Sequence, residues 1–138
     1  MTLDSLFLDA NILFSAAYSD DSGLRRLWSL EGVVLLTSDY ALEEARRNLP
    51  DSTALGRLES LEDGLRIVRA VHQERDPHGS GLPLKDLPIL NAAIAAECTH
   101  LLTGDITHFG PLLGRTLRGV LILRPAQYFR RKPRPPSS

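Results

Sequence analysis

Two carboxylates in this chain come directly after short apolar runs. Asp9 follows Leu6–Leu8, and Asp105 follows a Leu-Leu-Thr-Gly segment. An apolar strand that ends in a carboxylate brings charge to the carboxyl edge of a parallel sheet, which is where α/β proteins place their chemistry. Two further acids on predicted helices, Glu44 and Asp86, are expected to reach the same edge. Four carboxylates at one edge indicate a site for a hard divalent cation.

The chemistry of such a site follows from the ligands. Mg²⁺ and Mn²⁺ prefer oxygen atoms, and three or four carboxylates from separate segments supply a partial cage. Without a cation, the mutual repulsion of these carboxylates would be costly. A cation held there could polarise a phosphodiester and activate a water molecule for in-line attack. Asn11 and Thr103 are placed to hydrogen-bond a carboxylate or a metal-bound water, in support of the acids.

Each of the four acids also has a simpler structural interpretation. Asp9 and Asp86 both precede predicted helices, where an aspartate is often only an N-cap. Glu44 lies on a charged helix face, and the helical wheel does not choose between it and its neighbour Glu43. Asp105 could simply close a turn after a glycine. Each signal is weak alone, and it is their combination that favours a metal site.

The apolar runs of the sequence are short and continuous rather than alternating. Such runs predict strands buried on both faces, and hence a parallel sheet covered by helices. The predicted strands are Leu6–Leu8, Val33–Leu36, Ile67–Val71, Leu101–Leu102 and Val120–Leu123. The predicted helices are Asn11–Tyr18, Ser22–Leu30, Ser38 or Asp39 to Leu49, Leu55–Leu65, Leu87–Cys98 and one more between the last two strands. With right-handed crossovers, this order predicts a three-layer α/β/α sandwich whose strands all end on one side.

Length and composition predict one soluble domain. The chain has 138 residues, 43% of them hydrophobic and 24% charged, and its formal net charge is −1. No apolar run approaches the roughly 20 residues of a membrane span, and the first residues lack the basic segment of a secretory signal. The single Cys98 excludes an internal disulfide and fits a reducing compartment. We therefore expect a cytoplasmic protein with no membrane association.

The end of the chain differs in composition from the rest. Residues 1–129 are predicted to form the single domain, and residues 130–138 a basic, proline-rich tail that is disordered. Its arginines could contact phosphates non-specifically, although a solubilising role is the simpler interpretation of the proline-rich part. Sequence alone leaves open whether this tail contacts nucleic acid.

Four segments of the chain resemble the motifs of the PIN-domain family. The segments are Leu8–Ala16, Thr37–Leu49, Lys85–Ala93 and Leu101–Phe109, in the family's order and spacing. The resemblance runs from about residue 5 to about residue 125. Its most specific part is the pair formed by the third and fourth segments, which one helix separates. By motif position, the residues that match the family's functional acids are Asp9, Glu44, Asp86 and Asp105.

The resemblance implies a compact α/β/α domain with a central five-stranded parallel sheet. Many PIN-domain proteins are ribonucleases that depend on Mg²⁺ or Mn²⁺, so the four matching acids are expected to bind the metal and to act in catalysis. Free-standing bacterial members of this size are often toxins that an antitoxin neutralises. The resemblance therefore implies an endoribonuclease that hydrolyses RNA, with a cognate antitoxin and a second copy of the chain as expected partners.

Three other functions remain open. A phosphoryl-transfer enzyme with Asp9 as its nucleophile would want a second acid two residues on, where Asn11 stands. A phosphoacceptor domain would pair neighbouring acids at the first strand and place a lysine after the last strand, which Arg124 follows here. A module that binds nucleic acid or protein without turnover is compatible with the same acids.

The histidines do not predict a zinc site. None has a ligand-like spacing to another histidine or to the cysteine. They are His72, His78, His100 and His108. His108 stands three residues after Asp105 and could border the site, where it could contact substrate. A solvent-facing position in a loop is the simpler interpretation of that residue.

Overall fold

The predicted site depends on a parallel sheet, and the computed structural model of the chain has one. It describes residues 3–70 and 75–131. Within them the strands are β1 (Asp4–Leu8), β2 (Val33–Ser38), β3 (Arg66–Val68), β4 (His100–Leu102), β5 (Thr116–Leu117) and β6 (Val120–Leu123). The helices are α1 (Ala10–Tyr18), α2 (Asp39–Asn48), α3 (Ser52–Glu62), α4 (Leu87–Ala95) and α5 (Pro125–Arg131). Three 3₁₀ helices cover Gly23–Ser29, Leu84–Asp86 and Gly110–Leu112.

The strands form one sheet in the order β3-β2-β1-β4-β6-β5. All neighbours from β3 to β6 are parallel, which confirms the predicted parallel sheet of five strands. The short strand β5 is a sixth, and it pairs antiparallel with β6. The turn between them contains Arg118 and Gly119 at φ values of 49° and 86°. Two positive φ angles in a row suit a two-residue hairpin turn.

The central strand β1 shows that both faces of the sheet are covered. Leu6, Phe7 and Leu8 are consecutive, and each is 0% exposed. Successive side chains of a strand point to opposite faces, so helices must pack on both sides. This confirms the α/β/α sandwich predicted from the continuous apolar runs. Leu8 pairs with Leu102, and this register brings the carboxyl ends of β1 and β4 together.

Polar side chains fix the starts of the helices that follow the strands. Asp9 accepts a hydrogen bond from the Ala10 N–H at the start of α1. Ser38 caps α2, and Asp51 caps α3 through a hydrogen bond of 2.9 Å from the Ala54 N–H. The caps therefore satisfy backbone N–H groups at the points where α1 and α2 leave the carboxyl edge of the sheet.

Several predicted boundaries were wrong. The segment after Ser22 is a 3₁₀ helix, and the helix expected between the last two strands is only the 3₁₀ turn Gly110–Leu112. α3 begins and ends three residues earlier than predicted, because Asp51 caps it. α4 ends at Ala95, and Glu97 then takes a positive φ of 56°. Val71, the last residue of the predicted third strand, lies outside the described residues.

One helix was not predicted at all. α5 runs from Pro125 to Arg131, and it includes the first two residues assigned to the tail. It packs on the start of β1, where the Tyr128 hydroxyl donates to Asp4 Oδ2 at 2.7 Å. Residues 132–138, the rest of the predicted tail, lie outside the described residues. Among the residues that are described, none of the helices combines the length and the hydropathy that crossing a membrane requires.

Candidate active site

The four acids predicted from the sequence line a single pocket. Asp9 lies at the end of β1, Glu44 on α2, Asp86 at the start of α4 and Asp105 after β4. Asn11 is also part of the lining, with the neutral side chains Phe14 and Asn48 and with Lys85. The pocket stands at the carboxyl edge of the parallel strands, where this class of fold places ligands.

Asp9 is the most buried of the four acids. Its side chain is 5% exposed, and its backbone N–H donates to the Leu102 carbonyl at 3.1 Å. Its Oδ1 accepts from the Ala10 N–H at 2.7 Å, and its Oδ2 accepts from Thr103 Oγ1 at 2.8 Å. Burial raises the pKa of Asp9 to about 6, the charges of Asp86 and Glu44 add to the rise, and the two hydrogen bonds oppose it.

Asn11 and Thr103 join the ends of the two central strands. Asn11 Nδ2 lies 3.4 Å from Asp9 Oδ2, and its Oδ1 accepts from the Gly104 N–H at 2.8 Å. Thr103 Oγ1 donates to Asp9 and accepts from the Asp105 N–H at 3.0 Å. A Cβ at Gly104 would stand 3.3 Å from Asn11 Oδ1, so glycine allows this close approach. Both side chains therefore orient acids of the pocket.

Asp105 is held by the turn that follows it. Its Oδ1 accepts from the backbone N–H groups of Thr107 and His108, each at 3.0 Å, and its Oδ2 lies 3.0 Å from His108 Nδ1. Burial alone would raise the pKa of Asp105. The hydrogen bonds from His108 and Thr107, together with the charge of His108, outweigh burial and hold that pKa below its usual value.

Asp86 shares the same imidazole. Its Oδ2 lies 3.2 Å from His108 Nδ1, and its Oδ1 lies 4.0 Å from Lys85 Nζ. Burial raises the pKa of Asp86, the charges of Lys85 and His108 lower it, and the charge of Asp105 raises it further, with a net rise. His108 was expected either to border the site or, more simply, to face solvent; its side chain is 33% exposed, and its Nδ1 lies beside both acids, so it borders the site. The signal in the sequence was its neighbour Phe109, which is 0% exposed and draws the turn inward.

Glu44 and Glu43 point to different surfaces of α2. Glu44 lines the pocket, whereas Glu43 is exposed and lies 3.8 Å from Arg46 in a separate depression. The helical wheel could not separate these two residues, because they flank the apolar stripe on opposite sides. The choice depends on which side of α2 faces the end of β1, and only the tertiary packing sets that.

The possible metal-ligand atoms at and beside the pocket fit a divalent cation. One oxygen each from Asp86 and Asp105 and a ring nitrogen of His108 lie within 4.8 Å of one another. Asp86 Oδ2 is buried and accepts no hydrogen bond from the described residues, although His108 Nδ1 lies 3.2 Å away. A buried carboxylate oxygen without a donor is costly unless a cation or a proton meets it. Carboxylates on several segments are the usual ligands of Mg²⁺ and Mn²⁺.

We expect Thr103→Val to lower both the affinity of the pocket for Mn²⁺ and the free energy of unfolding. The valine has the shape of threonine but leaves Asp9 Oδ2 and the Asp105 N–H without this partner, which costs about 1–3 kcal/mol of unfolding free energy. The lost hydrogen bond also raises the pKa of Asp9 further. Thr37→Val is the matched control, because the buried Thr37 hydroxyl donates at 2.9 Å to the Leu8 carbonyl and to no acid.

Urea unfolding and calorimetric titration with Mn²⁺ measure the two effects of Thr103→Val. Both valine variants should lower the unfolding free energy, but only Thr103→Val should weaken Mn²⁺ binding, by roughly 10-fold or more. Equal Mn²⁺ affinities in the two variants would mean that Thr103 contributes to the fold alone.

The fold is similar to those of two solved structures. One is a chain in the crystal structure of VapBC2 from Rickettsia felis bound to a DNA fragment from their promoter, with a TM-score of 0.62, 16% identity, and coverage of 87% of this chain and 98% of that one. The other is VapC20 from Mycobacterium tuberculosis, a toxin that cleaves the sarcin–ricin loop. Its TM-score is 0.51 at 16% identity, and the match covers 76% of this chain and 95% of that one.

Comparison at the level of sequence gave no match. No protein-family model and no curated protein matches the chain. The likeness is therefore one of backbone path, and it extends over most of the length of both solved structures. The parallel sheet, the acids at its carboxyl edge and the two structural neighbours agree with the resemblance seen in the four sequence segments. The chain has the fold of the PIN-domain family.

Proposed function

We propose that the protein is a metal-dependent endoribonuclease. The observation that carries the proposal is the meeting of four carboxylates from four separate segments in one pocket at the carboxyl edge of the sheet. The residues that would hold the cation are Asp9, Glu44, Asp86 and Asp105. Mg²⁺ or Mn²⁺ bound there supplies Lewis acidity at a phosphodiester and makes water a better nucleophile.

The protein residues prepare the pocket for this task. Thr103 and Asn11 hold the Asp9 carboxylate in one orientation, and the backbone after Asp105 holds the second strand-end acid. The remaining charge is negative and would repel a nucleic-acid phosphate. Lys85, whose side chain is 60% exposed at the rim, offers the nearby positive charge that can contact a phosphate as it enters.

The proposal extends to a toxin–antitoxin role. VapC20 is described as a toxin that cleaves the sarcin–ricin loop, and VapBC2 was crystallised with DNA from its own promoter. Both neighbours support the same class of function for this chain, with RNA as the substrate and a cognate antitoxin as the partner. A homodimer and a cytoplasmic location belong to the same proposal.

Asp-based phosphoryl transfer is disfavoured by the environment of Asn11. The position two residues after Asp9 would need an acid, and here its amide is already engaged on both sides, with Asp9 Oδ2 and with the Gly104 N–H. An engaged neutral amide supplies no proton to a leaving group. A binding module without turnover remains the second candidate, and it differs from the nuclease only in what happens to bound RNA.

Cleavage of a mixed RNA pool tests the proposal, with Glu43 and Glu44 as a matched pair. We expect the purified protein to cut RNA with Mn²⁺ or Mg²⁺ and to stop when EDTA is added. Glu44→Gln should lower the cleavage rate by about 10-fold or more, because it removes a carboxylate from the pocket. Glu43→Gln, one residue away on the exposed side of α2, should cut at the wild-type rate.

Two outcomes would contradict the nuclease. Equal losses in Glu43→Gln and Glu44→Gln would show that the pocket is not the site of cleavage. RNA that binds but stays intact, in the presence of folded and metal-loaded protein, would favour the binding module.

A further inference from the structure

One imidazole nitrogen lies between two of the acids. His108 Nδ1 is 3.0 Å from Asp105 Oδ2 and 3.2 Å from Asp86 Oδ2. The same ring nitrogen therefore contacts two carboxylates that lie on different segments of the chain. The other basic side chain that pairs with Asp86 among the described residues is Lys85, whose Nζ lies 4.0 Å from Asp86 Oδ1 and which is largely exposed. His108 is thus built into the acidic cluster and does not merely border it.

The turn that carries His108 holds the ring in place. The His108 N–H donates to Asp105 Oδ1 at 3.0 Å, and the Phe109 N–H donates to the Asp105 carbonyl at 3.2 Å. Phe109 is fully buried and anchors the turn in the core. A ring fixed in this way keeps its nitrogen near the two oxygens with little loss of rotamer freedom on binding, which is how ligands are pre-organised in metal sites.

We propose that His108 is a ligand of the divalent cation beside Asp86 and Asp105, and that its ring nitrogen makes this part of the pocket prefer Mn²⁺ to Mg²⁺. The inference rests on the proposed metal-dependent function and specifies which ion serves it. Mg²⁺ binds oxygen almost exclusively, whereas imidazole nitrogen is a good ligand for first-row transition-metal ions. The two oxygens and the nitrogen lie within 4.8 Å of one another, as one shared ion requires.

If His108 has a different role, its removal should change the metal affinity in the opposite direction. If the ring only offsets the charge of the two acids, it competes with any cation, and its removal should strengthen the binding of Mn²⁺ and Mg²⁺ alike. If the ring is a ligand, its removal should weaken Mn²⁺ binding and leave Mg²⁺ binding nearly unchanged. The two roles therefore differ in the direction of the change.

Metal titrations of the full chain test this without RNA. Calorimetry with MnCl₂ and with MgCl₂ should show Mn²⁺ binding at least about 10-fold tighter in the wild type. In His108→Gln, the Mn²⁺ affinity should fall by roughly 10-fold while the Mg²⁺ affinity changes by less than about 2-fold. His78→Gln is the control, because His108 and not His78 has a ring nitrogen grouped within 4.8 Å of the Asp86 and Asp105 oxygens.

A second variant keeps the test decisive if His108→Gln folds poorly. His108→Asp replaces the nitrogen with a third carboxylate, which should raise the Mg²⁺ affinity relative to that for Mn²⁺. An unchanged ratio of the two affinities in both variants, or a rise in both affinities in His108→Gln, would overturn the inference.

The inference and the proposed nuclease fail in different ways. Intact RNA together with a Mn²⁺ preference that depends on His108 would overturn the nuclease and leave the metal ligand standing. Metal-dependent cleavage, together with a ratio of Mn²⁺ to Mg²⁺ affinity that does not change when His108 is replaced, would overturn the inference alone.

Discussion

Asp9→Asn is expected to abolish RNA cleavage while leaving the fold intact. The substitution removes one carboxylate from the proposed metal site, and loss of a ligand should cost more than the roughly 10–100-fold that is typical when a residue supporting a ligand is lost. Asparagine is as good an N-cap as aspartate, so α1 should still begin after residue 9. Cleavage rates at saturating Mn²⁺, together with circular dichroism, would measure both effects.

Asp51→Asn is the matched control for this substitution. Asp51 also caps a helix, since its Oδ1 accepts from the Ala54 N–H at 2.9 Å, but it lies outside the pocket lining. The same chemical change there should leave the cleavage rate within about 2-fold of the wild type. If Asp9→Asn cut RNA as well as Asp51→Asn does, Asp9 would be a helix cap and nothing more.

In the metal-free protein, Asp9 should contribute a loss of stability as the pH rises from about 4 to about 7. Asp9 has a pKa of about 6 in the fold against an ordinary value of 3.8, because burial disfavours its charged form. Below the lower value the residue is protonated in both the folded and unfolded states and costs nothing. Above about pH 6 its ionisation costs the folded state about 3 kcal/mol, as two pKa units imply.

Comparison of the wild type with Asp9→Asn isolates this effect. Urea unfolding in EDTA at about pH 4.5 and about pH 7.5 should show the variant gaining about 2 kcal/mol on the wild type between the two conditions. Asp105 contributes in the opposite direction, because its pKa is lowered and its stabilisation is lost as the pH falls. Both proteins retain Asp105, so its contribution cancels in the comparison.

Adding Mn²⁺ should oppose the loss of stability that ionised Asp9 causes in the wild type. On the proposal that the four acids of the folded state hold Mn²⁺, the ion should stabilise the wild type more than Asp9→Asn at about pH 7.5. If the unfolding free energies of the two proteins in EDTA changed with pH in the same way, the raised pKa of Asp9 would be contradicted.

The sheet and the two strand-end acids, Asp9 and Asp105, could be predicted because their signals are local, whereas Glu44 was chosen over Glu43 only through the resemblance to the PIN-domain motifs. Continuous apolar runs identify strands that are covered on both faces, and Leu6–Leu8 is such a run at 0% exposure. The ends of β1 and β4 then place Asp9 and Asp105 at the carboxyl edge, whereas Glu44 and Asp86 reach it from α2 and from the start of α4. The structure brings together the acids at positions 9, 44, 86 and 105 in one pocket, although their roles in metal binding and cleavage remain a proposal.

What could not be predicted depends on longer-range packing or on very short elements. The strand β5 has two residues, too few for any periodicity, and it exists because the turn at Arg118 and Gly119 folds it back on β6. Seven residues after Ser22 cannot distinguish a period of 3.0 from one of 3.6. The helix α5 begins at Pro125, which is a common first residue of a helix, but the basic residues that follow it are typical of a disordered tail.

The two edges of the sheet differ in how they resist aggregation. The antiparallel hairpin closes one edge with β5, a strand of only two residues that offers little to a neighbouring chain. At the other edge stands β3, where Ile67 is 45% exposed and Arg66 and Arg69 flank the short run. Charged residues at an open edge discourage hydrogen-bonded pairing with the edge strand of another molecule. We therefore expect apolar replacements of Arg66 and Arg69 to lower the solubility of the chain while leaving the acidic pocket, to which neither residue belongs, unchanged.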